Sequence, residues 1–243
     1  MLQVRHPGEK FVERHENEWP LARTQWTRQY LNLNSHTLDA QAPGGEASLT
    51  YAGLGDGVTL MTAPLSAPTE ITGPIAAKLW VSSSTRDADL FLIVRAFDPN
   101  MKEVVFQGAL DPNTPIAQGW LRVSHRKLDP KLSLPHRPYH THDEEQAMTP
   151  GTVYEVDVEV WPTCIVLPKG YRLALTIRGK DYVYPGGPSK GLETLGTQWH
   201  GCGPFVHNDP RDRPADVFGG DVTLHTGPNR QAYLLLPIIP EKK

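Results

Sequence analysis

Four groups of residues in this 243-residue sequence have types and spacings that chemistry uses. Gly187-Pro188-Ser189-Lys190-Gly191 fits the G-x-S-x-G pattern of a nucleophile elbow, in which a serine on a strained turn attacks an acyl carbon. Cys202 stands between two glycines and five residues before His207, a spacing that invites a thiolate–imidazole pair. The segment from Pro135 to Glu145 is the densest polar cluster of the chain. If it is extended, His140 and His142 point the same way with carboxylates close by, as two ligands of a zinc-like ion would. Trp199, Tyr182 and Tyr184 lie in or beside a long loop and offer flat faces on which a sugar ring could stack.

Each motif needs a frame to position it. An elbow works where a buried strand enters a helix and the same sheet brings an aspartate and a histidine to the serine. Ser189 instead follows Tyr184-Pro185-Gly186 and precedes a short polar run, which is loop chemistry, and only 54 residues remain after it. His200, His207 and His225 are bases without a visible fold to orient them. Cys202 has no third group to name, so a glycine-permitted turn with a small buried thiol is expected there. Trp161 follows directly on an alternating strand and is expected in the core, and Trp120 is expected within a strand. No catalytic residue, metal site or cofactor is therefore assigned. For the 135–145 segment three readings stay open: a solvated loop, a metal site short of its third ligand, and a binding or docking loop built on Tyr139, His140, His142 and Asp143. Tyrosine and arginine are enriched at interface cores, which motivates the third.

The elements that would carry these residues are strands. Val153 to Val160 alternates, with Tyr154, Val156, Val158 and Val160 on one side and Glu155, Asp157 and Glu159 on the other. Tyr171 to Ile177 repeats the pattern after the turn Pro168-Lys169-Gly170, so the two are expected to pair. Ile75 to Val81 and Leu90 to Phe97 read as strands, the second apolar enough for the middle of a sandwich. Asp98-Pro99-Asn100 turns the chain into a further strand from Glu103 to Leu110. Asp221 to Thr226 and Gln231 to Ile239 are expected as a closing hairpin around Gly227-Pro228-Asn229. No window shows a 3.6-residue apolar period, so helices are short at most. Two antiparallel sheets packed face to face, a jelly roll, follow from this pattern. Long connections at 111–118, 125–150 and 179–220 are where function is expected.

The bulk numbers agree. The chain has 21 Gly and 23 Pro, about 18% against an average of roughly 12%, which favours many turns. A net charge of -3 without a basic run disfavours nucleic acid as a partner. No apolar stretch approaches the roughly 20 residues of a bilayer span, and the N-terminus lacks the apolar core of an export signal. Two cysteines, Cys164 and Cys202, make no disulfide framework and favour a cytoplasmic location.

Several segments, ENEWPLARTQWTRQYL at 16–31, TEITGPIAAKLWVSSSTRDADLFLIVRAFDP at 69–99, GWLRVSHRKLDP at 119–130 and MTPGTVYEVDVEVWPTCIVLPKGYRLALTI at 148–177, resemble the C-terminal domain of the X-Pro dipeptidyl-peptidase and cocaine-esterase hydrolases. The resemblance runs from about residue 4 to residue 240. It implies a galactose-binding-like jelly roll over 46–243 with a connecting segment at 1–45, and a Ser-Asp-His triad on an α/β-hydrolase domain that precedes it. On this reading the chain supplies no catalytic group and its partner is that hydrolase domain, in the same longer chain or as a separate subunit. An orphaned apolar docking face would also favour self-association. The alternative is a free-standing carbohydrate-binding module.

Overall fold

The computed structural model describes residues 1–108, 111–186, 201–203 and 206–240. Ser189, Trp199 and His200 lie outside the described residues. The strands are β1 (Leu2–His6), β2 (Lys10–Arg14), β3 (Gln25–Asn32), β4 (Thr37–Asp39), β5 (Ala47–Ala52), β6 (Val58–Met61) and β7 (Thr69–Ser83), followed by β8 (Asp89–Phe97), β9 (Glu103–Val104), β10 (Ala117–Arg122), β11 (Tyr154–Leu167), β12 (Arg172–Arg178), β13 (Asp221–Thr226) and β14 (Tyr233–Ile239). Helical structure among the described residues is confined to a 3-10 turn at Val123–His125 and to α1 (Ala215–Phe218).

One hydrogen-bonded ladder runs β10-β8-β12-β6-β4-β3-β14-β7-β11-β1-β2 and curls so that its two halves share a core. The link between them is thin: β4 meets β6 in parallel at Thr37 opposite Met61 and meets β3 antiparallel. Inward residues of one half (Leu90, Leu92, Val94, Leu173, Leu175, Ile177) meet those of the other (Leu79, Val81, Val156, Val158, Leu234, Leu236). Each such side chain contributes roughly 1.5–3 kcal/mol by leaving water, so the period-2 pattern selects which side of every strand turns inward. Residues 1–45 carry β1 to β4.

Two expected pairings are not made. β11 and β12 do not pair: β11 lies between β7 and β1, whereas β12 lies between β6 and β8. The two alternating strands belong to opposite halves of the sandwich. β13 and β14 do not form a hairpin either, because each runs antiparallel to β7, along Trp80 to Ser83 and along Glu70 to Lys78 respectively. Both therefore point the same way, and the Gly227 to Arg230 turn offsets the chain without reversing it. The 98–100 turn does return the chain, but as the two-residue β9 on β8.

Trp161 is a third correction, since it is 63% exposed rather than in the core. Parity explains it: Val156, Val158 and Val160 face inward, so Trp161 shares the outer side with Glu155, Asp157 and Glu159. A bulge then follows, with Val160 opposite Ile75 but Thr163 opposite Gly73. Pro162 supplies the extra residue, where its missing N–H breaks no ladder bond.

The half containing β10 closes onto the other half at Gly119. A Cβ there would lie 2.2 Å from the carbonyl oxygen of Glu159 and 2.9 Å from Val160 Cα. Only glycine lets the two backbones approach this closely. Gly119→Ala is expected to lower stability by about 2–4 kcal/mol, read as a shift of the urea midpoint; a midpoint unchanged within error would mean that β10 and β11 do not close in this way.

Candidate functional site

β8 is buried along almost its whole length, because its outer face is also covered. Phe91 and Ile93 form a second small cluster there with Tyr182, flanked by Trp120 and Tyr184. The segment that covers them is held by buried charge. Asp89 receives Arg122 Nε at 2.9 Å on Oδ1, Arg122 Nη2 at 3.1 Å and Arg213 Nε at 2.7 Å on Oδ2. Arg213 also donates to the carbonyl oxygens of His207 at 2.7 Å and Gly179 at 2.5 Å, and lies over the Phe91 ring. Arg122 reaches Asp212 through two 3.1 Å bonds and stacks over Phe218. Removing one partner from such a buried network costs about 3–5 kcal/mol, since the remaining charge is left uncompensated.

Beside this network opens a hollow of about 440 Å3. Its walls come from the start of β8, from Trp120 and Arg122 of β10, from His125, from His140 and His142 of the long loop, from Glu159 and Trp161 of β11, and from His207. Trp120 and Trp161 meet edge to face with centroids 5.2 Å apart. Trp161 is a ridge: its far side, with Trp19 and Pro162, borders a second hollow of about 420 Å3.

His140 Nε2 lies 3.0 Å from the carbonyl oxygen of Asp157, so Nε2 carries the proton and Nδ1 is left as an acceptor. Burial lowers the His140 pKa. His142, held at φ +50°, brings its Nδ1 to 3.2 Å from His125 Nδ1, a contact in which one ring donates and the other accepts. His207 places its Nδ1 2.9 Å from Asp181 Oδ1 and its backbone N–H 2.6 Å from Oδ2.

Of the four residues expected to bind or dock, His140 and His142 line the hollow, although the left-handed backbone of His142 departs from the extended form that was expected. Tyr139 and Asp143 do not. Tyr139 is exposed on the loop's other side, while Asp143 accepts Lys127 Nζ at 3.0 Å and the Thr141 hydroxyl at 2.5 Å, bonds that lower its pKa. Among the described residues no group of three or more His, Cys, Asp or Glu is arranged to hold a metal ion.

Among the described residues the triad-like fragments stay incomplete. His207 has its carboxylate, but no described hydroxyl or thiol is bonded to it. His225 Nε2 meets Ser82 Oγ at 2.9 Å, but no carboxylate orients the ring, and burial lowers its pKa. Cys202 is half-buried, and burial, with Asp181 and Asp111 nearby, pushes its thiol up to about 11, the opposite of activation. The sugar platform also loses a member, because Tyr182 is buried and donates its hydroxyl to Glu103 Oε1 at 2.6 Å.

Glu159, His125 and the Asp89 network belong to the site without standing among the residues expected from the sequence. Glu159 was legible through its parity with Trp161. Asp89 and Arg213 are 124 positions apart and carry no local signal.

His140, His136 and His225 all have pKa values lowered first by burial. A histidine with a depressed folded-state pKa binds its proton sooner when unfolded, so stability falls as pH drops below the ordinary value of about 6.5 toward the depressed one. Glu159, raised by burial, works in the opposite sense: the folded state gains its proton first as pH falls toward the ordinary carboxylate range. The urea midpoint is therefore expected to decrease between pH 7.5 and pH 5.5, with a shallower slope in His140→Gln. An equal slope in that variant would exclude His140 as a contributor.

The model of the X-Pro dipeptidyl-peptidase C-terminal non-catalytic domain matches residues 2–235. A candidate serine esterase of Mycobacterium bovis is 26% identical over 164 residues, covering 65% of this chain and 23% of that protein. A CocE/NonD family hydrolase from Staphylococcus aureus superposes with a TM-score of 0.83 at 26% identity, over 98% of this chain and 41% of the other. An aminopeptidase from a marine-sediment Thaumarchaeota archaeon shares the fold, with a TM-score of 0.64 at 12% identity over 96% of this chain and 39% of that one. The chain thus spans about a quarter of the curated relative and about two fifths of the solved hydrolase. Nothing in these likenesses supports the carbohydrate-binding alternative. With that family model matching residues 2–235 and with its two-layered β architecture, the chain belongs to the family of X-Pro dipeptidyl-peptidase C-terminal non-catalytic domains.

Proposed function

We propose that this chain is the companion of an α/β-hydrolase domain, docking on it through the face that carries Trp161 and helping to shape the mouth of its active site. The observation that carries the reading is Trp161 itself: a large indole, 63% exposed on an ordered strand, with a hollow on either side. Indole ridges flanked by recesses are what interface hot spots are made of. The 125–150 loop forms the rim, with His140 and His142 turned into the hollow and Tyr139 and Asp143 available to a partner. The complete enzyme hydrolyses an ester or amide through an acyl-enzyme formed on a serine of the other domain. Self-association of the isolated chain would use the same face. No described helix is long and apolar enough to cross a membrane, and two free thiols fit a reducing compartment such as the cytoplasm.

Two experiments test this. The intact mass of the chain after exposure to a fluorophosphonate is expected to stay unshifted while a control serine hydrolase is fully labelled; a stoichiometric adduct, above all on Ser189, would overturn the reading. For docking, the chain is co-expressed with a CocE/NonD α/β-hydrolase domain stripped of its own C-terminal domain, and assembly is followed by light scattering. Trp161→Ser is expected to weaken the complex at least about tenfold, or roughly 1.4 kcal/mol. Assembly indifferent to Trp161→Ser and to Tyr139→Ser together would place the docking face elsewhere.

A further inference from the structure

The charges around the first hollow do not cancel. Asp89 and Asp212 are answered by Arg122 and Arg213 through the bonds given above. Glu159 has no such answer. Among the described residues its carboxylate, on the exposed outer side of β11, has no hydrogen bond and no ion pair; partial burial raises its pKa and the Arg137 charge lowers it. With its histidines neutral, the hollow therefore carries one uncompensated negative charge.

What else lines the hollow is equally selective. His140 spends its Nε2 proton on Asp157 and keeps only the Nδ1 lone pair. His207 with its Nδ1 proton on Asp181 keeps only the Nε2 lone pair. Arg122 and Arg213 have Nε and both Nη atoms engaged. Next to Glu159 the lone pairs of His140 and His207 remain as acceptors, and beside them stand two indoles whose ring faces attract cations. An anion would meet the charge of Glu159. A neutral apolar ligand would leave Glu159 desolvated without a partner, at a cost.

We propose that this hollow is a binding site for a primary ammonium group on an apolar body, with Glu159 as its counter-ion, Trp120 and Trp161 as its walls, and His140 and His207 accepting its remaining protons. Every group named belongs to this chain, so binding can be measured without the docking partner.

The test is titration of the chain at pH 8 with phenethylammonium chloride, followed by tryptophan fluorescence and calorimetry. The neutral 2-phenylethanol and the anionic 3-phenylpropanoate serve as matched probes. Saturable binding with a Kd on the order of millimolar is expected for the ammonium, with the alcohol at least tenfold weaker and the carboxylate not bound. Glu159→Gln is expected to weaken the ammonium about tenfold and leave the alcohol unchanged, and Trp161→Ala to weaken both. Urea midpoints of these surface variants confirm that they fold. Equal affinity for ammonium and alcohol, absence of saturation, or undiminished binding by Glu159→Gln would each overturn the proposal. So would a Trp19→Ala variant as impaired as Trp161→Ala, because that would move the ligand to the neighbouring hollow.

Discussion

The structure around the site depends on one buried carboxylate. Asp89 opens β8, the strand covered on both faces, and it can sit in the interior only because two guanidiniums share it. Arg213 is itself nearly inaccessible, at 7% exposure, and all three of its nitrogen atoms have acceptors. A fully satisfied network of this kind offsets its desolvation; a half-satisfied one does not. Its geometric consequence matters more than its net energy. By tying 207–213 to the start of β8 it keeps the outer side of Phe91 and Ile93 dry, and it fixes the wall against which Trp120 and His207 meet with centroids 6.3 Å apart. Loosen Asp89 and the hollow has no far wall.

A second tether works in parallel through backbone donors. The Asp111 carboxylate accepts the N–H groups of Asn113, Gly201 and Gly203 at 2.8, 2.7 and 2.9 Å. Gly201 is held at φ +119°, with the Tyr182 ring filling the space where a Cβ would stand. This glycine is therefore demanded by the packing of Tyr182, which in turn bonds Glu103, itself paired with Arg95. Polar contacts thus link the Gly-Cys-Gly turn to β8 and β9, and the thiol of Cys202 rides on that turn without being used by it.

Much of this was legible in the sequence, and the failures have a common cause. Alternation in β11 and β12 reported which residues face inward, because burial of every second side chain is a property of one strand. It could not report which strand lies alongside, because any two half-apolar strands are equivalent partners until the sheet is closed. Hence β11 and β12, adjacent in sequence and separated by a good turn, went to opposite halves, and Gly227-Pro228-Asn229 proved a jog between two strands that share β7. Trp161 teaches the converse lesson. Parity assigned it to the outside together with Glu159, and only the habit of burying indoles argued otherwise. His140 and His142 were readable as close neighbours, but with His142 at φ +50° it is the fold of the loop, not strand parity, that brings both to the hollow, and the contribution of His125 likewise needed the loop to fold back on the end of β10.

The outward placement of Trp161 also bears on why a domain of a non-catalytic family keeps so ordered a polar hollow. An indole exposed to water gives up roughly 2 kcal/mol that burial would return, and Glu159 beside it, on the exposed side of β11, has no cation bonded to it. The bare indole costs stability in the chain taken alone. That cost is offset only when something covers the indole. One ligand with an apolar body and a positive head covers it and answers Glu159 from within the hollow, while a protein surface laid over the ridge covers it from outside. The two are compatible, since Trp161 presents one side to the hollow with Glu159 and the other to the recess with Trp19. A single side chain on a bulged strand can in this way couple what lies inside the hollow to what lies across the interface.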